Sequence, residues 1–333
     1  MKKYLLQSIV ILVTVFTAGA VQAEITARKI KLGIQNPKGH PMEVSAKKLA
    51  ELIATKSNDK IKIRVFSGGQ LGGDLQTVSA LQGGVTEMTV LNSGILGAQV
   101  KDFEVYDFPF VFENNKEADA VLDGDFGKNL HAKLEDKGIV GLGYWDLGFR
   151  NITNNRRPIK TLEDIAGLKL RVIPNPINID WVSALGANPV SLAFPEVYTA
   201  LEQKAIDGQE NPITVIYANK MNEVQKYLTL TRHQYNPQSV IISKKVWDTF
   251  SPEEKQLFKD AVAEVTLFQR QLSREQEQVA LQKLKESGME INELPPAEMA
   301  KFREKVAPVV EKYSSAIPET AAALKAELAK QRQ

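Results

Sequence analysis

Residues 167–212 read GLKLRVIPNPINIDWVSALGANPVSLAFPEVYTALEQKAIDGQENP. This stretch decides the fold. Lys169 to Val172 has the length and apolar content of a short strand, with Arg171 near its end. Pro174 and Pro176 stop that strand and force an extended loop. Asn178 to Leu185 carries helical spacing, and Gly186 suits the cap that follows a helix. Asn188 to Leu192 is extended again. Phe194-Pro195-Glu196 opens a second helix, with the proline in its first turn. Ile206 to Asn211 is a third extended piece, stopped by Pro212. Strand, helix, strand, helix, strand at such short spacing predicts a parallel α/β sheet. Ligands of such sheets sit at the carboxyl ends of strands. Arg171 and Asn211 fall at two such ends. One is a fixed cation with a planar fork, the other a neutral donor and acceptor.

Working outward, the same alternation returns. Lys29 to Ile34 predicts a first strand, Met42 to Ile53 an amphipathic helix, Ile61 to Phe66 a second strand, and Glu87 to Leu91 a third. Ser67 to Gly73 is glycine-rich but lacks both GxGxxG and GK[ST], so it reads as a strand-to-helix turn, not a nucleotide loop. These strands deliver Gln35, Asp74 and Asn92 toward one edge. The aromatic run Val105 to Phe112 reads as core or interface wall. Asn115 to Lys137 is helical with a break near Gly124. Ile139 to Trp145 and Phe149 to Thr153 read as separate extended pieces, as do Leu228 to Arg232 and Ser239 to Ser243. Ser251-Pro252-Glu253-Glu254 is a strong helix start: cap, proline, then acids at the positive helix end. That helix runs to about Ser287, roughly 50 Å at 1.5 Å per residue. Breaks or kinks are expected near Pro308 and Pro318.

Composition narrows the function. Met1 to Ala23 reads as a secretory signal peptide, with Lys2 and Lys3 ahead of an apolar run and small residues at Val21-Gln22-Ala23. The chain has 42 basic and 40 acidic residues. Without the two leader lysines they balance, which argues against nucleic acid or an anionic membrane as partner. There are no cysteines, so thiol catalysis, iron–sulfur clusters and cysteine metal sites are excluded. His40, His131 and His233 are scattered without HxxxH or HxH spacing, so no metal site is expected. No GxSxG elbow appears, and no cofactor motif is present.

LKLRV, LAFPEVYTAL and DGQENP, with SGGQLGGD (Ser67–Asp74), YDFPFVF (Tyr106–Phe112), FRNITNNRRPI (Phe149–Ile159) and EVQKYLTLT (Glu223–Thr231), resemble the solute-binding proteins of TRAP transporters, the DctP-type periplasmic receptors. The resemblance spans nearly the whole chain after the leader. It implies an α/β, two-lobed binding protein with interleaved domains, a ligand cleft between the lobes and a long helix spanning both. The lobes would comprise residues 24–147 with 237–276, and 148–236 with 277–333, with crossings near Asp146–Phe149 and Tyr235–Ser239. It implies a non-enzymatic periplasmic receptor that delivers a small carboxylate to TRAP membrane subunits. Arg171 would anchor the carboxylate and Arg150, alone an ordinary surface arginine, would add a second basic contact. Asn211 would bond a carboxylate or hydroxyl, Phe194 would cover one ligand face, and Gln35 and Asn92 would read the rest. Asp74 lies just past its loop at the same edge, and Trp145 and Asn175 are further candidates by proximity. Neutral amides at these positions suit a sugar acid such as a uronate, aldonate or diketogulonate. A C4-dicarboxylate or keto acid, a receptor of another transporter class, and a periplasmic carbohydrate hydrolase working through paired carboxylates are the alternatives. No acid pair at the strand ends supports the hydrolase.

Overall fold

A computed structural model of the chain describes residues 25–332; the signal-peptide expectation over Met1 to Ala23 lies outside the described residues. The chain opens with β1 (Arg28–Ile34), α1 (Pro41–Lys56), β2 (Ile61–Phe66), α2 (Asp74–Gly83) and β3 (Met88–Asn92). Two helices, α3 (Asn115–Asp123) and α4 (Asp125–Ala132), precede the long β4 (Ile139–Asn154). The central stretch forms β5 (Lys169–Val172), α5 (Pro176–Ala184), β6 (Asn188–Ser191), α6 (Val197–Glu202) and β7 (Gly208–Pro212). Then come α7 (Ile213–Ala218), the long β8 (Tyr227–Ser243), α8 (Lys244–Trp247), α9 (Pro252–Glu286), β9 (Glu290–Glu293), α10 (Pro296–Ala316) and α11 (Pro318–Gln331).

All nine strands share one sheet, in the order β2-β1-β3-β8-β4-β7-β5-β6, with β9 on β8. The β1 strand is parallel to β2 and β3, and β5 is parallel to β6 and β7. The strand–helix–strand rhythm of residues 167–212 therefore gives the parallel unit it predicts. Two long antiparallel strands, β4 and β8, join the two parallel units. The second half of β8 pairs with β3, from Gln238 to Ile242. Its first half pairs with β9, from Tyr227 to Leu230. The end of β4 carries β7, from Arg150↔Pro212 to Asn154↔Gly208.

Here the structure departs from the sequence reading. The pieces at Ile139–Trp145 and Phe149–Thr153 are one strand, and so are those at Leu228–Arg232 and Ser239–Ser243. The apparent gap in β4 is a shift of pairing between Asp146 and Phe149. Gly148 lies there at φ +107, a conformation that L side chains rarely adopt. A bulge of this kind bends a strand without ending it. Pro308 also fails to break its helix: α10 runs through it, and the chain turns only at Pro318.

The long helix α9 fixes the bend in β4. It starts as expected, with Ser251 Oγ accepting from the Glu254 N–H (3.1 Å) and the Glu254 carboxylate accepting from the Ser251 N–H (2.8 Å). Further along, the Gln269 amide donates to the Asp146 carbonyl and accepts from the Asp146 N–H, both at 2.7 Å. Ser273 Oγ donates to the same carbonyl, and Arg274 Nε donates to Asp146 Oδ2. The bent backbone thus finds partners for the polar groups that a sheet ladder would have satisfied.

Candidate functional site

One cavity collects the strand-end residues. Its wall is made of Gln35, Asn36, Asp74, Asn92, Leu147, Arg150, Arg171, Ile173, Phe194, Asn211, Val215, Asn236 and Gln238. Seven of the nine residues singled out by sequence are among them: Gln35, Asp74, Asn92, Arg150, Arg171, Phe194 and Asn211. The cavity is small, about 40 Å³; one water needs about 10–15 Å³ by this kind of measure. A larger cleft of about 580 Å³ opens between α4, the start of β4 and α9. It is walled largely by Leu122, Leu142, Trp247, Ala263 and Leu267, and none of the strand-end residues reaches it.

The parallel unit supplies the principal cation. Arg171 sits near the end of β5, 2% exposed. Its single hydrogen bond among the described residues runs from Nε to the Leu192 carbonyl, 2.8 Å. The two terminal nitrogens of the fork therefore meet no protein acceptor. Burial lowers the Arg171 pKa to about 10, with Arg150 pulling the same way and Glu210, Asp74 and Glu196 opposing. The guanidinium is still charged at neutral pH. The Phe194 ring centroid lies 5.9 Å from its Cζ. Phe194 is partly buried against two of the hydrophobic cores.

Arg150 is not a surface residue. It is 2% exposed and ion-paired with the equally buried Glu210. Nη2 donates to Glu210 Oε1 (2.8 Å) and Nη1 to Asn236 Oδ1 (3.1 Å). His233 Nε2 lies 3.2 Å from Glu210 Oε2, while Thr231 Oγ1 meets Nδ1 at 2.7 Å. Burial pushes Glu210 upward, but the Arg150 charge and the His233 hydrogen bond hold its carboxyl down to about 2.

The remaining polar wall is mostly amide, with the Asp74 carboxyl, and only partly satisfied. Gln35 donates to the Gly72 carbonyl (3.0 Å), leaving its Oε1 buried and unpartnered. Asn92 accepts from the Gly94 N–H (2.8 Å), leaving its Nδ2 unpartnered; Asn236 Nδ2 and Asp74 Oδ1 are in the same state. Asn211 Nδ2 donates to Gln209 Oε1. Buried polar atoms without partners are costly and uncommon, and four of them on one small cavity mark a surface waiting for polar ligand groups. The glycine-rich loop closes over this end. At Gly69 (φ +71) a Cβ would meet Pro195 at 3.0 Å and Gln35 Oε1 at 3.1 Å.

Two sequence candidates belong elsewhere. Trp145 is fully buried in the core beside α1 and α9 and does not line the cavity, although it pairs with Gln238, which does. Asn175 donates to the Gly94 carbonyl (3.1 Å) and to Asp107 Oδ2 (2.7 Å). Asp107, wholly buried, also accepts from Asn178 and Gln234, so Asn175 helps to hold a structural carboxylate. Conversely, sequence reasoning missed Asn36, Asn236 and Gln238 on the wall, and Glu210 behind it. Glu210 lies within the quoted DGQENP motif, and that position was its one signal. Among the described residues no group of His, Asp and Glu could hold a metal ion.

Comparison with known proteins places the chain in a family. Residues 32–316 match the DctP family, described as bacterial extracellular solute-binding protein, family 7. The chain is 36% identical over 269 residues to the 2,3-diketo-L-gulonate-binding periplasmic protein YiaO of Escherichia coli, covering 81% of this chain and 82% of that one. Its fold is similar to the sugar acid binding protein DctPAm from Advenella mimigardefordensis in complex with galactonate, with a TM-score of 0.90, 41% identity, and 92% and 99% of the two chains covered. It is also similar to a TRAP periplasmic solute binding protein from Ochrobactrum anthropi whose C-terminus is bound in the ligand pocket (TM-score 0.83, 52% identity, 93% and 97% covered). With its mixed α/β sheet of the two-lobed binding-protein type and its match across most of its length, the chain belongs to the DctP family of bacterial extracellular solute-binding proteins.

Proposed function

We propose that this protein is the periplasmic receptor of a TRAP transporter and that it captures a sugar monocarboxylate, an aldonate, uronate or diketogulonate, for delivery to the membrane subunits. One observation carries the ligand class: the Arg171 fork faces a cavity whose other free polar atoms belong mostly to amides. A fork of this kind can hold a carboxylate through two parallel hydrogen bonds, each contributing on the order of 1.5–3 kcal/mol. Amide oxygens and nitrogens suit hydroxyls. Galactonate and diketogulonate, named with two of the relatives, have that combination of groups. In this reading residues 24–147 with 237–276 form one lobe and 148–236 with 277–333 the other, and closure removes water from the Arg171–carboxylate pair. Arg150, held by Glu210, positions the wall beside it.

A thermal-shift screen of Glu24–Gln333 against organic acids tests this reading. A ligand that binds only the folded state stabilises it by about 2.7 kcal/mol at one hundred times its Kd. Aldonates and uronates should raise the melting temperature by several degrees, and succinate by less. A screen in which no carboxylate shifts the protein would sink the reading.

A further inference from the structure

We propose that Asp74 takes up a proton as the solute carboxylate docks on Arg171, and that the cavity so charged holds a monocarboxylate and turns away a solute with a second carboxylate. This deepens the receptor reading and rests on it. The charges around the cavity decide what it can hold. Four ionisable groups bear on the cavity: Arg171, Arg150 and Asp74 on its wall, and Glu210 behind. Arg150 and Glu210 neutralise one another in direct contact. That leaves Arg171 and Asp74. Asp74 makes no ion pair within 4 Å among the described residues, and its Oδ1 is buried without a hydrogen-bond partner. It faces Gln35 from β1, Asn92 from β3, Arg150 from β4 and Arg171 from β5. Glu210 bears on the same Arg171, as does Glu196, which is exposed and screened by solvent and so stands outside the count.

With Asp74 ionised the four groups sum to zero, and an arriving carboxylate would leave the buried site with an uncompensated negative charge. With Asp74 protonated the site is singly positive, and one carboxylate on Arg171 brings it to zero. Uncompensated charge in a desolvated space is the costlier state. Burial pushes the Asp74 carboxyl up to about 6 against the pull of Arg171, the Gln35 amide and Arg150, so the proton is within reach near neutrality. A solute carboxylate adds a further push in the same direction. Protonated, Asp74 can donate to a solute hydroxyl or carbonyl. The lining residues include no third cation for a second carboxylate.

Isothermal titration reads this directly. D-galactonate and, in parallel, D-glucuronate are titrated into wild type and Asp74→Asn from pH 5 to 8, in buffers of different ionisation enthalpy. Wild type should take up nearly one proton per solute at pH 8, with Kd rising about tenfold per pH unit above the Asp74 pKa. Asp74→Asn should take up none and show a flat profile. Galactarate has the galactonate skeleton with a second carboxylate at the far end. It should bind wild type at least tenfold more weakly than galactonate, and Asp74→Asn, whose side chain is neutral like protonated Asp74, should keep that gap. No proton uptake with a flat wild-type profile overturns the proposal, whether or not the variant folds. Equal binding of galactarate and galactonate by wild type overturns the exclusion of second carboxylates. If neither sugar acid binds at any pH, the receptor reading fails and this inference falls with it.

Discussion

Arg150 and Arg171 stand on the two strands that flank β7, equally buried, and they are spent in opposite ways. Arg150 is saturated from within, by Glu210 and Asn236. Arg171 has one backbone acceptor and a fork that meets none. The lesson is that a buried charge in a cleft has two readings, and the partner decides between them. A charge with an internal counterion belongs to the scaffold. A charge without one carries a desolvation cost that only a ligand can offset.

Three substitutions test that contrast. The largest effect is expected at Arg171→Ala. Removing two charge-assisted bonds should weaken sugar-acid binding by two to four orders of magnitude and leave urea unfolding within about 1 kcal/mol of wild type. Calorimetry beside urea melts checks both halves, and a protein that loses stability but keeps its affinity would invert the contrast. Next comes Arg150→Ala, which strands Glu210 in the interior. A broken buried pair typically costs about 3–5 kcal/mol, so this variant should unfold at much lower urea. Arg150→Met with Glu210→Leu should regain most of that loss; no recovery would mean that Arg150 matters through something other than its counterion. The smallest effect is expected at Asn175→Ala. Losing its bonds to Asp107 and Gly94 should cost about 1–3 kcal/mol of stability, with affinity changed less than threefold. A large loss of affinity would return Asn175 to the binding site.

Much of this was legible in the chain. Short strands stopped by proline or glycine announce themselves, and residues 167–212 fold nearly as their punctuation says. The capping box at Ser251–Glu254 and the length of α9 were equally plain. What escaped was long-range. The bend in β4 looks like a strand end because a bulge interrupts alternation just as a turn does. Arg150 looked like a surface residue because its partner lies 60 positions away on another strand. Trp145 and Asn175 were placed at the site by nearness to the same strand edges, but the core took one and Asp107 the other. Asn236 and Gln238 sit in the middle of β8, where nothing local sets them apart.

The single sheet has a consequence for inheritance. Each parallel unit is completed by half of β4 and half of β8, and those halves are welded to one another along their length. No single cut of the chain separates one unit with all its strands. A crossover between β4 and β8 would therefore mate a β4 from one parent with a β8 from the other, along with the Asp146 bend and the α9 side chains that hold it. New solute preferences in such a protein are far more easily reached by point changes on the cavity wall than by shuffling halves.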